Sequence, residues 1–302
     1  MHLRLHLLQL RRLGVLSVTM VERIPGLSFA PFELMEDDDH FEAETFHEAS
    51  KVTRRNRGAL QRQTDRIVRD ARAVLLMARA FKQYPDAPRI ELPASGLGSM
   101  TLAEAVRRRR SQLGGFTGEP ISLDELAAIL RFAGGAVCSI PARSEPDRIW
   151  YRTAPSAGGL YPIEIYPIVL RADGVAEAVY HYDVRGHALE RIRGGPIRDD
   201  LLAATPYAEL CGSSAVVFAL AGVIARSVAK YLFRGYRFAS YDAGAMLTNL
   251  YLAATARGLG TCALGGFFDD RIARLLRLDD PDEQPLMLFT VGRTAKDADA
   301  RP

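Results

Sequence analysis

The chemically suggestive residues of this chain gather around two adjacent glycines, in the run Ala154, Pro155, Ser156, Ala157, Gly158, Gly159, Leu160, Tyr161, Pro162. Paired glycines that follow a serine and precede an apolar strand let backbone approach a flat ligand closely, because no Cβ stands in the way. Read from the residues alone, the same run also serves as a tight turn into a strand, and both readings stand. A second run, Arg107 to Arg110 followed by Ser111, sets guanidinium groups and a hydroxyl together. That set suits a phosphate dianion, which takes charge-assisted and often bidentate hydrogen bonds. Arginines placed there equally well offset the negative end of a helix that precedes them.

Taken in order along the chain, these and later segments resemble the nitroreductase superfamily. The run Pro155 to Pro162 resembles the segment with which that superfamily contacts flavin. In its form Gly158, Gly159, Leu160, Tyr161, Pro162 it is similar to the SagB-type, or McbC-like, dehydrogenases. Those are the FMN subunits that oxidise thiazolines and oxazolines to thiazoles and oxazoles in ribosomally made peptides. Arg108, Arg109, Arg110 and Ser111, then Phe116 and Gly118 to Leu126, resemble the family's arginine-rich segment and first helix. Lys230 to Phe238, followed by Asp242, Ala243 and Gly244, resembles a segment that carries a Lys-Tyr pair. Thr261 to Gly266 and Val291 to Arg293 complete the match, which runs from about Ser50 to Arg293. It departs at Leu113, where a basic residue is usual, and at Phe116, which stands one residue late.

The resemblance implies an FMN enzyme with a nitroreductase-like α+β sandwich, a mostly antiparallel central sheet and an intertwined homodimer. It assigns the flavin to Pro155, Ser156, Ala157, Gly158 and Gly159, to Leu264, Gly265 and Gly266, and its phosphate to Ser111, Arg293 and either Arg109 or Arg110. It assigns catalysis to Lys230 and Tyr231. Dehydrogenating an azoline needs a base for the ring's Cα proton and a hydride acceptor. Lysine can lose its proton when buried and arginine cannot, so the two are not equivalent there. The chain has only four lysines, Lys51, Lys82, Lys230 and Lys296, which makes one at this position informative. The implied partners are a precursor peptide and a cyclodehydratase. Two other readings share the fold: an NAD(P)H-dependent nitro- or quinone reductase, and a non-catalytic scaffold subunit, which Leu113 favours.

The elements that must position these residues are legible in outline. Thr101 with Glu104, and Ser122 with Glu125, form capping boxes that open two helices, the second closed by Gly134 and Gly135. Apolar spacing predicts helices over 58–84 and 241–257, the latter capped by Gly258, and a short one around Ile272 and Leu275. Ile163 to Leu170, a turn at Ala172 to Gly174 and Ala178 to Tyr182 read as a hairpin; Ala215 to Ile224 and Leu286 to Val291 read as buried strands. Helices and strands mix without βαβ alternation, which points to α+β. The division expected is an N-terminal extension over 1–98 and an FMN-binding domain over 99–302. Met1 to Thr19 is basic and leucine-rich but interrupted by Arg4, Arg11 and Arg12, so it reads as an extension, with Met20 a possible start. A net charge of +3 gives no case for nucleic acid, the longest apolar run is too short for a membrane span, and Cys138, Cys211 and Cys262 suggest a reducing, cytoplasmic setting without zinc or disulfides. His40, His47, His181 and His187 show no metal-ligand spacing and read as structural or exposed.

Overall fold

The computed structural model describes residues 46–47, 49–54, 56–69, 81–141, 148–278 and 282–295. The stretch Met1 to Thr19 and much of the acidic stretch after it lie outside these residues, as do 70–80 of the helix expected over 58–84. In chain order the elements are α1 (Arg57–Arg69), β1 (Arg89–Glu91), α2 (Leu102–Arg108), α3 (Leu123–Gly134), β2 (Ala136–Pro141), β3 (Arg148–Arg152), β4 (Ile163–Val169), β5 (Ala178–Asp183) and β6 (Ala188–Gly194). They continue as α4 (Arg198–Ala203), α5 (Ala208–Ser213), β7 (Val216–Val223), α6 (Ile224–Tyr231), α7 (Arg234–Ala256), β8 (Gly260–Leu264), α8 (Asp269–Leu275) and β9 (Glu283–Gly292).

Seven strands form one sheet in the order β1-β6-β5-β4-β7-β9-β8, with every pairing antiparallel. This is the nitroreductase-like α+β fold that the sequence implies. Strand β1, N-terminal to the expected boundary at 98, adds to the sheet edge beside β6. The central strands β4 and β7 are buried on both faces, and period-2 alternation divides their side chains between two cores. Ile163, Ile165, Phe218 and Phe289 face α3 and α7, meeting Leu126, Leu130, Met246 and Leu250. Tyr166, Ile168, Val217 and Ala219 face the short helices, meeting Leu201, Leu210, Ile272 and Leu275. Each large apolar side chain so buried contributes roughly 1.5–3 kcal/mol.

Both capping boxes form. Helix α7 ends at Gly258 (φ 71°), where Gly258 N–H donates to Thr255 O and Leu259 N–H to Ala254 O, a complete Schellman motif. Gly134 and Gly135 close α3 where expected, and a Cβ on Gly135 would lie 2.4 Å from Arg131 O. Two readings are corrected. Residues 81–84 are not helical, because the chain crosses the sheet there and places Lys82 and Tyr84 on its buried polar groups. Helix α7 starts seven residues before Tyr241, since its first turns pack on α6 rather than on the sheet, and core periodicity is silent over that stretch.

His181 is fully buried between two carboxylates, its Nδ1 2.8 Å from Glu190 and its Nε2 3.3 Å from Glu164. Ionised carboxylates only accept hydrogen bonds, so a ring held between two of them is favoured as the imidazolium, which donates from both nitrogens. Burial opposes that charge, but the hydrogen bonds and charges of Glu164 and Glu190 outweigh it and raise the pKa of His181. Burial likewise opposes ionisation of Glu164, and Arg226 (2.5 Å) with His181 nevertheless holds its pKa at about 2. The two signs bound a pH window. The contribution of His181 is fully present below its ordinary value of 6.5 and is lost as pH rises through its raised folded value. That of Glu164 is present above 4.5 and is lost as pH falls towards 2. Urea unfolding across pH should show a maximum between these limits, and His181→Gln should abolish the alkaline decline. An alkaline limb identical in the variant would show that the imidazolium is not its cause.

Candidate active site

The glycine turn is held by one carboxylate. Ser156 Oγ donates to Asp242 Oδ2 (2.6 Å), Ala157 N–H donates to Asp242 Oδ1 (3.2 Å), and Tyr161 N–H donates to Ser156 Oγ (2.8 Å). Ala157–Gly159 then forms a 3-10 turn with Gly158 and Gly159 in the left-handed region (φ 66° and 68°). Both glycines and Pro155 are exposed. They serve different ends. A Cβ on Gly158 would lie 2.4 Å from Tyr231 Oη and 2.9 Å from Lys230 Nζ, whereas beside Gly159 nothing lies within 4 Å. The first glycine therefore admits the Lys-Tyr pair, and the second leaves open backbone.

Lys230 and Tyr231 end helix α6, so they sit at a helix terminus. Leu232 follows with φ 52° and ψ −144°, a conformation costly for a side-chain-bearing residue, and turns the chain into α7. The Tyr231 ring meets Phe238 of α7 edge-on at 4.8 Å. Burial lowers the pKa of Lys230. Burial, with the charge of Asp242 adding to it, raises that of Tyr231. Both shifts favour the neutral forms.

The arginine-rich run ends α2 and leads to β8. Ser111 Oγ shares a 2.9 Å hydrogen bond with Tyr251 Oη, which also accepts from Ala263 N–H (2.9 Å), while Arg109 lies over the Tyr251 ring (5.1 Å). Arg110 donates to the carbonyls of Arg107 and Arg109. Arg108, Arg110, Gln112, Gly260 and Thr294 line a cavity of about 100 Å³. Leu113, where a basic residue was expected by resemblance, is largely exposed. Arg293 is engaged elsewhere: Nη2 lies 2.9 Å from Glu125 and Nε donates to Pro120 O. Leu264 is buried at the end of β8, Gly265 faces open space, and a Cβ on Gly266 would lie 3.1 Å from the Tyr207 ring.

The structure thus brings Ser156, Ala157 and Gly158 together with Lys230 and Tyr231, and joins Ser111 and Arg109 to β8. It commits the Arg293 guanidinium to Glu125. Sequence reading gave no role to Asp242 or Tyr251. Tyr251 carried a signal, as a tyrosine next to Leu250 on the apolar face of its helix, where its hydroxyl needs a partner.

Comparison with known proteins bears on this arrangement. The model of the nitroreductase family matches residues 106–293. A candidate nitroreductase of Methanocaldococcus jannaschii is 33% identical over 208 residues, covering 69% of this chain and 98% of that one. The microcin B17-processing protein McbC of Escherichia coli is 29% identical over 154 residues, covering 47% of this chain and 54% of its own length. The chain thus spans about half of McbC. A solved structure of a nitroreductase homologue from Anabaena variabilis superposes with a TM-score of 0.59 at 26% identity, covering 71% of this chain and 44% of that one.

Tyr251→Phe removes one hydroxyl that serves both Ser111 and Ala263. At roughly 0.5–1.5 kcal/mol per hydrogen bond, the variant should lose about 1–3 kcal/mol in chemical denaturation. A loss within error would mean that water replaces the hydroxyl and that the contact between the arginine-rich segment and β8 does not depend on it.

Proposed function

The chain belongs to the nitroreductase family, and from that premise we propose that it is an FMN-dependent dehydrogenase that oxidises thiazoline or oxazoline rings in a ribosomally made peptide. The observation that carries this reading is the approach of Lys230 Nζ and Tyr231 Oη to Gly158, the two side chains filling the space its missing Cβ leaves. The likeness to McbC supports it, since that protein is named for processing a peptide.

The residues fit a flavin. Gly159 and Gly265 offer backbone with nothing within 4 Å, as a planar ring requires, and the arginines with Ser111 have the donor chemistry of a phosphate site. Pro155, Ser156, Ala157, Gly158 and Gly159, together with Leu264, Gly265 and Gly266, would hold the ring. Ser111, with Arg110 or Arg109, would take the phosphate. Arg293 would join them only by sharing itself with Glu125. Bound FMN supplies the hydride acceptor. Lys230, made easier to deprotonate by burial, would take the proton from the ring's Cα, the hydride from Cβ going to that acceptor so that a C=C bond results. Tyr231, kept protonated, orients the ring and passes the proton onward.

The partners follow from the substrate. An azoline arises when a Cys, Ser or Thr side chain closes on the preceding carbonyl with loss of water, so a cyclodehydratase acts first. A second copy of this chain would cover the exposed Tyr236 and Tyr241 of α7 and Leu102 and Val106 of α2. Light scattering should give a dimer; a monomer that retains FMN would refute this part. One observation favours a stand-alone nitro- or quinone reductase instead: the M. jannaschii relative matches over almost its whole length. Steady NAD(P)H oxidation with a nitroarene, and none with azoline peptides, would establish that alternative.

The purified protein should be yellow, with an FMN spectrum; a colourless protein that takes up no FMN would leave only a scaffold role. Lys230→Arg should stay yellow and slow azoline oxidation by about 10²–10⁴-fold. The readout is a loss of ~2 Da per ring in the peptide mass, two hydrogens removed as proton and hydride. Full activity in Lys230→Arg would show that the residue supplies charge alone.

A further inference from the structure

We infer that Asp242 is a positioning residue whose carboxylate fixes the glycine turn Ala157–Gly159 relative to Lys230 and Tyr231, so that helix α7 aligns both halves of the site. The inference rests on the proposed function for what is being aligned, but the alignment itself is geometric.

The grips come from one face of one helix. Phe238 and Asp242 are four residues apart on α7 and therefore stack on the same side. Phe238 holds the Tyr231 ring edge-on at 4.8 Å. Asp242 holds the other half, taking the Ser156 hydroxyl at 2.6 Å and Ala157 N–H at 3.2 Å. Ser156 then extends the grip to Tyr161 N–H at 2.8 Å. Between these anchors lies Gly158, whose absent Cβ leaves Tyr231 Oη and Lys230 Nζ their place. A shift of either anchor changes that spacing directly.

The residue type argues the same way. Asp242 is buried, and no ion pair to it is found among the described residues. Burying a carboxylate without a cation is unfavourable unless hydrogen bonds use its lone pairs. A structural spacer needs no charge. A carboxylate offers two oxygens that accept from a hydroxyl and an amide together, which an alanine cannot do and an asparagine does with one oxygen only. Burial raises the pKa of Asp242, and the two hydrogen bonds from the turn oppose that shift.

The experiment compares Asp242→Ala, Asp242→Asn and Ser156→Ala with the parent, all as FMN-loaded full-length protein. Hydrogen exchange should show the Ala157 and Tyr161 amides about ten- to a hundredfold faster in Asp242→Ala, the equilibrium change expected on losing hydrogen bonds of a charged acceptor. Asp242→Asn should be intermediate, rescued through its one oxygen. With azoline peptide, kcat per bound FMN should fall by about 10²-fold, the effect of misplacing reacting groups by an ångström, at unchanged KM. If Asp242→Ala fails to fold, Ser156→Ala reports on the same lock through Tyr161. Turn amides as protected in both Ala variants as in the parent would overturn the inference, as would a normal kcat with the turn released. The exchange measurement needs no substrate, so an enzyme inactive on azolines would sink the proposed function while the lock is still judged by its amides.

Discussion

Helix α7 can lie where it does only because Gly235 lacks a side chain, and Gly134 eases the packing of α3 against it. A Cβ on Gly235 would come within 2.5 Å of the Ser227 carbonyl group, so at that point α6 and α7 touch backbone to backbone. A Cβ on Gly134 would lie 2.9 Å from Met246 Cε, so α3 closes on the same helix from another direction. With α7 fixed between them, the side chains along it reach separate segments. Phe238 meets Tyr231, Asp242 meets the glycine turn, Met246 and Leu250 enter the core, and Tyr251 meets Ser111 and β8. Chain segments more than a hundred residues apart in sequence are thus held by one rod. The last contact needs a hydroxyl and the first a ring, so the helix is specified residue by residue despite its weak amphipathicity.

The opposite face of the sheet is organised by charge. Glu164, His181, Glu190 and Glu283 are buried, and they are joined to Arg226, Arg89, Lys82 and the Tyr166 hydroxyl. Removing one member of such a network leaves another charge buried and uncompensated, so the network resists rearrangement more than it adds stability. Strands β4, β5, β6 and β9 are tied by it at fixed register. Strand β4 begins directly after the glycine turn, and Arg226 of α6 donates both to Glu164 and to Tyr161 O. The register on one face therefore reaches the turn and the Lys-Tyr helix on the other.

Legibility in the sequence follows the range of the physics. The two capping boxes, the Schellman end of α7 and the central strands are local patterns, and they stand where the residues indicate. Strands β1, β2, β3 and β6 carry charged or exposed residues, so no apolar run marks them; β2 with β3 and β5 with β6 are local hairpins, whereas β1 owes its state to β6, about a hundred residues further on. Helix α6 was hidden for a related reason: only Ser227 of its eight residues is buried. The candidate site residues were proposed by type and order, and their neighbours follow from the fold alone. That Asp242 reaches Ser156 across 86 residues, or that Arg293 turns to Glu125, depends on how helices cross a sheet.

The chemistry of the Lys-Tyr pair is set by where these constraints place it. Lys230 ends a helix, where the negative pole of the peptide dipoles favours an ammonium ion. Burial acts the other way and prevails, lowering its pKa. Tyr231 is moved up by the same burial and further by the nearby carboxylate of Asp242. A base needs a neutral amine and a relay needs a hydroxyl that keeps its proton, and one environment favours both. The open backbone at Gly159 lies on an exposed turn, with its accessible face on one side and the half-buried pair on the other.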